Sequence, residues 1–282
     1  MASKRRPLRL SSDPAFYAAR GLDRLAVLRR LSRSNLIGAL AALVGLVLFL
    51  YLLSGNRLLL LAAVLVAGAG VEQLVRTHPA SSLRGFRDTL FFLFVPCLFT
   101  FGAGVFFRYI WSGWLEAPAA VLSAAILGGV IFAEYHSVDP SDERFLTMRL
   151  ILNLAGYLAA FSLYTALYNQ KLALPFAAFL VGLVSFSIGI EVLREIELKT
   201  ETLLICAAAL GFVMAEARWA LNFISLSGWL GGVFILIVFY VASQVLQSYL
   251  WGRFDRRVAV EFGVVASLGT LLVLAGRVLS HG

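Results

Sequence analysis

Residues 36–53 read LIGALAALVGLVLFLYLL, eighteen consecutive positions without a charged side chain. A helix of that length rises roughly 27 Å, close to the roughly 30 Å hydrocarbon thickness of a bilayer. Apolar runs of this kind recur along the whole chain, at 35–53, 58–76, 88–108, 117–136, 147–168, 173–193, 202–220, 228–250 and 258–279. Pro96 and the Gly128-Gly129 pair fall inside such runs, which lipid tolerates because a helix has few competitors there. The expected fold is therefore all-α, a polytopic transmembrane helical bundle of about nine spans.

Composition leads to the same reading. Of 282 residues 60% are hydrophobic and only 14% charged, with a mean hydropathy of +0.87. Soluble domains carry about 25% charged residues. Nearly all of the chain is used by the spans, so two regions are expected: a basic N-terminal tail, 1–34, and a transmembrane domain, 35–282. The tail holds nine Lys or Arg against two Asp. Its opening SKRRPL has a twin-arginine look, but the apolar run follows too late for a signal peptide, and the tail reads as retained in the cytoplasm. Within it Leu22, Leu25, Leu28 and Leu31 recur every three residues among arginines, consistent with a short helix on the membrane surface.

Charge orients the stack. With the N-terminus inside, the cytoplasmic segments hold 19 Lys or Arg and the outer ones five, the asymmetry of the positive-inside rule. This places the N-terminus inside and the C-terminus outside, in the plasma membrane of a cell (the inner membrane of a bacterium). The seventh span is the weakest link; if it fails to cross, the count falls to eight. Aromatic residues mark the interfaces: Tyr109, Trp111 and Trp114 at one outer loop, Trp219 and Trp229 at another, Tyr249 and Trp251 on the inner side. The net charge of +8 sits beside spans and points to anionic lipid headgroups, above all at the tail, and not to nucleic acid.

Chemistry has few places to reside. Cys97 and Cys206 lie in apolar runs with no CxxC partner. His78, His136 and His281 are the three histidines, with no HExxH spacing; a meeting of Glu72, His78, Glu134 and His136 is the one conceivable metal set. The acidic loop at 139–144 could hold a cation only weakly. No phosphate loop and no GxSxG elbow occurs. No cofactor and no catalytic set is expected. The candidate functional polar residues are Glu72 and Arg76, one helical turn apart; Glu134 and His136 at the end of the fourth run; Asn153, on a helix face with Arg149 and Tyr157; Glu191, followed by Arg194 and Glu195; and Glu216 with Arg218 near the outer end of the seventh run. Ionisable residues inside a membrane are functional suspects, but at helix ends they also snorkel to water. Glu72, Glu134 and Glu191 close the second, fourth and sixth runs, compatible with a repeated hairpin unit or with the plain fact that helices end where polar residues begin. Tyr157, Gln244 and Gln247 read as interhelical hydrogen-bonding groups.

The run EYHSVDPSD at 134–142, with RLILNLAGY at 149–157 and EARW at 216–219, resembles an uncharacterised family of bacterial multi-span membrane proteins with no assigned activity. The resemblance implies a polytopic membrane protein and carries over no functional residue. Three function classes remain: a non-catalytic subunit or assembly component of a membrane complex, a small-solute or ion transporter, and a lipid-modifying membrane enzyme. The first fits the short loops and scattered charges. The second requires Glu72, Glu134, Glu191 and Asn153 to converge on a water-accessible cavity, and the third requires Glu134, His136 and Glu72 to share a pocket open to lipid.

Overall fold

The computed structural model describes the backbone of residues 14–79, 89–110, 113–170, 172–196, 198–224 and 226–281, and side chains from residue 33 onward over most of these ranges. Nine α-helices run through the described residues: α1 Pro14–Ser54, α2 Arg57–Arg76, α3 Phe94–Ile110, α4 Glu116–His136, α5 Phe145–Asn169, α6 Leu174–Leu193, α7 Thr200–Leu221, α8 Gly228–Leu250 and α9 Arg256–His281. Single 3-10 turns, Leu90–Leu93 and Gly113–Leu115, lead into α3 and α4. With these turns counted in, eight helices, from Arg33–Ser54 to Gly228–Leu250, are long and apolar enough to cross a membrane. α9 coincides with the ninth expected run. The seventh run, the doubtful one, is an unbroken helix of 22 residues.

Helix boundaries follow from local chemistry. Proline lacks an N–H, so it is tolerated in a first turn, where that donor has no intrahelical partner. Pro96, Pro118 and Pro175 all occupy first turns, and Pro79 and Pro140 lie just past helix ends. Pro96, inside the third apolar run, therefore interrupts nothing. The α1–α2 connection is the tightest. Gly55 adopts φ +67°, the left-handed conformation that closes a helix C-terminus at little cost only for glycine. Asn56 then caps α2 by accepting from the Leu58 N–H at 3.0 Å, satisfying one of the orphan donors of the new helix. Arg108 of α3 reaches over this turn, its Nη1 donating to the Leu52 carbonyl at 2.7 Å.

α1 packs between α2 and α4, and α2 continues to α3. α5 is the hub. It touches α3 and α4 on one side and α6 and α8 on the other, so it joins the N-terminal helices to the C-terminal ones. One apolar core runs through both halves, from Val44, Leu48, Ala67 and Leu127 to Tyr164, Ile188, Met214 and Phe239. α6 and α7 form the closest pair, and α9 rests on α8. Large aliphatic side chains such as Leu58, Leu65, Leu150 and Leu272 project outward, as lipid-facing positions should. Where polar groups occur between helices they pair: Tyr164 with Ser185 at 2.7 Å, Tyr157 with Ser243 and Gln244, and Gln247 with the Val192 carbonyl. The expected interhelical role of Tyr157, Gln244 and Gln247 is what they perform.

Several sequence readings fall outside the described residues: the tail through residue 13, the side chains of its leucine stripe, Arg84, Arg87, Trp111, Lys171 and the side chain of Arg277. From Pro14 the backbone is helical straight across the boundary at 34 and 35.

Candidate functional site

Four charged side chains meet where α4 ends, α5 begins and α6 ends. Antiparallel neighbours bring these three ends together, so residues far apart in the chain converge there. Glu191, in the last turn of α6, and Glu134, in the last turn of α4, are both 0% exposed. Arg149, at the start of the second turn of α5, is also buried. Its Nη1 lies 2.6 Å from Glu191 Oε1, and its Nη2 donates to the Glu191 backbone carbonyl at 3.1 Å. The second bond adds to the long 3.3 Å bond that this last-turn carbonyl accepts from the Arg194 N–H, and it places a cation at the negative end of the helix dipole.

Arg194 caps α6 and bridges the two carboxylates. Its Nη2 lies 3.5 Å from Glu134 Oε2 and its Nη1 3.1 Å from Glu191 Oε2. The latter contact is an ion pair without hydrogen-bond alignment, and both of its atoms are buried with no hydrogen-bond partner. Below, the guanidinium rests on the Phe92 ring at 4.1 Å. The Ser137 hydroxyl donates to the Glu134 backbone carbonyl at 3.0 Å and stands 3.5 Å from Glu134 Oε2; Glu134 Oε1 is buried and accepts nothing. Asn153, one turn along α5 from Arg149, donates to Glu195 at 3.3 Å. The core of the cluster is thus two carboxyl groups and two guanidiniums, whose formal charges balance. Neutrality matters because an unbalanced charge at this depth costs several kcal/mol.

The other candidates stand apart from it. Glu72 pairs with Arg76 at 2.7 Å on the half-exposed face of α2. His136 pairs with Asp142 at 2.8 Å, and His78 stands edge-on to Tyr135 with centroids 4.5 Å apart. The acidic loop is tied up internally: Asp139 accepts from the backbone N–H and the hydroxyl of Ser141, and Asp142 accepts from the Arg144 N–H. These bonds hold both carboxyls below the usual range, Ser141 acting on Asp139 and the Arg144 N–H and His136 on Asp142. Among the described residues no group of three His, Cys, Asp or Glu is placed to hold a metal. Glu216 is exposed, whereas Arg218 is buried, with its Cζ 5.0 Å from the centroid of the Tyr168 ring.

Of the candidate residues, then, Glu134 and Glu191 come together, Asn153 lies beside them, and Glu72, Arg76, His136, Glu216 and Arg218 do not join. Arg149 and Arg194 are the members that the candidate set lacks. The spacing of Arg149 to Asn153 and of Glu191 to Arg194 marks shared helix faces, but only packing order could reveal that α5 turns its face toward the end of α6. A cavity of about 680 Å³ lies elsewhere, between α3, α5 and α6, walled by Phe94, Phe101, Leu163, Phe176 and Leu183, and no charged residue lines it.

Residues 38–276 match the family described as a protein of unknown function, DUF5656. The chain belongs to the DUF5656 family. The DUF5656 segment begins within α1 and contains the whole charge cluster together with Arg218, while the basic tail, 1–34, precedes it. No curated protein and no solved structure matches the chain.

Proposed function

We propose that this DUF5656 protein is a non-catalytic component of a membrane complex, a subunit or an assembly factor. The observation that carries this reading is the Arg149–Glu191–Arg194–Glu134 cluster, buried except for the partly exposed Arg194, in which the side chains best suited to chemistry pair with one another. Such groups hold three helix ends in register; they present nothing to a substrate. A transporter of the kind the sequence suggested would gather Glu72 with Glu134 and Glu191, but Glu72 is bound to Arg76 on another face. A lipid-modifying enzyme would use His136 with Glu134, but His136 faces Asp142 and Glu134 is fully buried. The cavity between α3, α5 and α6 supplies no acid or base. Partners of this chemistry are other membrane helices and lipid, not nucleic acid.

The test is purification from native membranes in a mild non-ionic detergent, followed by native mass spectrometry. A defined assembly containing a second membrane protein in stoichiometric amount is expected. Recovery of the chain alone would sink the subunit reading.

We further propose that the N-terminus faces the cytoplasm and the C-terminus the outside, with the basic tail against anionic headgroups of the plasma membrane. The 19-to-five split of basic residues supports this orientation. A reporter fused after residue 282 that is active only outside the cell should be active; one that is active only in the cytoplasm should be silent, and the reverse pair of results refutes the nine-span order.

A further inference from the structure

The end of the bundle away from the charge cluster carries an unmatched cation. Arg218 stands in the last turn of α7, only 5% exposed. Its Nε and Nη1 are buried and have no hydrogen-bond partner. No ion pair reaches it from a described residue, and Glu216, two positions away, is exposed. The face of Tyr168 at 5.0 Å offsets only part of the hydration that a buried guanidinium loses.

A second positive feature abuts the same ring. The first turn of α8 lies against Tyr168, so closely that a Cβ built on Gly231 would come within 2.7 Å of the ring carbons. The neighbouring Asn169 touches Gly228. Ser227, the N-cap of α8, makes no capping hydrogen bond, and its Oγ is buried without a partner. The N–H groups of Gly228, Trp229 and Leu230 precede the first helical bond, from Gly231 N to the Ser227 carbonyl, and so lack intrahelical acceptors. A 23-residue helix directs its positive dipole end here. The unpaired guanidinium of Arg218, the unpaired hydroxyl of Ser227 and the N-terminal turn of α8 are thus all gathered around the Tyr168 side chain.

We propose that this is a binding site for a phosphate-type oxyanion, with Arg218 as counter-charge and Ser227 and the N-terminal turn of α8 as donors. Tyr168 is the wall and not a ligand, because its hydroxyl already donates to the Ile224 carbonyl and accepts from the Leu226 N–H. One guanidinium matches the single charge of a phosphodiester. Trp219 and Trp229, next in the chain to Arg218 and Gly228, are exposed, and tryptophan prefers the headgroup level of a bilayer. This favours a lipid phosphate over a free one.

The experiment is thermal unfolding of the purified full chain in an uncharged maltoside detergent, with phosphatidylglycerol, diacylglycerol of the same chains, or inorganic phosphate. Phosphatidylglycerol is expected to raise Tm and diacylglycerol not to. Arg218→Gln should abolish the rise and weaken lipid binding about tenfold or more, the loss expected for a charge-assisted contact; Ser227→Ala should weaken it less. Without lipid, Arg218→Gln should match or exceed the wild-type Tm, since it removes an unmatched charge. A rise with inorganic phosphate that Arg218→Gln also abolishes supports the oxyanion site and assigns it to a free anion. Equal stabilisation of wild type and Arg218→Gln by phosphatidylglycerol, or no stabilisation of wild type by either anion, overturns the proposal.

Discussion

Replacing Arg149 with methionine is expected to destabilise the bundle by about 3–5 kcal/mol, the cost of stranding a buried partner charge. Glu191 would keep only Arg194, which already serves Glu134, and the cluster would carry one uncompensated negative charge. The Glu191 backbone carbonyl would lose its guanidinium donor and keep only the long bond from the Arg194 N–H, at 3.3 Å. The double replacement Arg149→Met with Glu191→Met restores neutrality and leaves Glu134 with Arg194. It should be markedly more stable than Arg149→Met alone, because buried ion pairs often exchange for apolar pairs at little net cost. Equilibrium unfolding in detergent micelles measures all three variants against wild type. If Arg149→Met alone shifts stability by less than about 1 kcal/mol, or the double variant is the weaker, the cluster is not the clamp described.

The second large effect is expected where α6 meets α7. Gly182 and Gly211 face each other so closely that a Cβ on Gly211 would stand 2.7 Å from the Gly182 carbonyl oxygen, and a Cβ on Gly182 2.9 Å from that of Gly211. Both contacts are with backbone, which cannot rotate away as a side chain can. Close approach of this kind is what small residues provide between membrane helices. Gly211→Leu should therefore separate the pair and cost about 1–3 kcal/mol or more through overpacking. The control is Gly129→Ala in α4, where nothing lies within 4 Å of the built Cβ; there the helix preference of alanine should leave stability unchanged or raise it by up to about 1 kcal/mol. Loss of stability at Gly211 with none at Gly129 isolates the close approach from helix propensity. Equal effects at the two sites would refute it.

The helices were legible in the sequence because each apolar run has the length of a bilayer and no competing period. The run at 202–220, the weakest link of the span count, is a continuous helix: Arg218 folds back onto Tyr168 and Glu216 is exposed, so neither breaks it. The charge cluster was legible only in part. Glu191 and Arg194 share a turn, and Glu134 closes a run, so each was visible as an edge residue. That Arg149 pairs with Glu191, 42 positions later, depends on which helices neighbour one another, and an apolar pattern is nearly silent on that when most helix faces are apolar. The same silence hid Glu72, whose place in a three-glutamate series suggested convergence that α2 does not provide. Histidine misled for a related reason: His136 follows Glu134 by two residues, which on a helix points the side chains apart.

The guanidinium of Arg108 on the Leu52 carbonyl has a bearing on biogenesis. The two residues are 56 positions apart, so the turn that joins the first helical hairpin stays unclasped until the third helix has emerged. At ordinary translation speeds of about 5–20 residues per second, that interval is roughly 3–11 s. During it, α1 and α2 hold their hairpin with the local bonds of Ser54, Gly55 and Asn56 at the bend. The third span is then both a member of the core and the latch on the pair made before it, so maturation of the first hairpin waits on the ribosome.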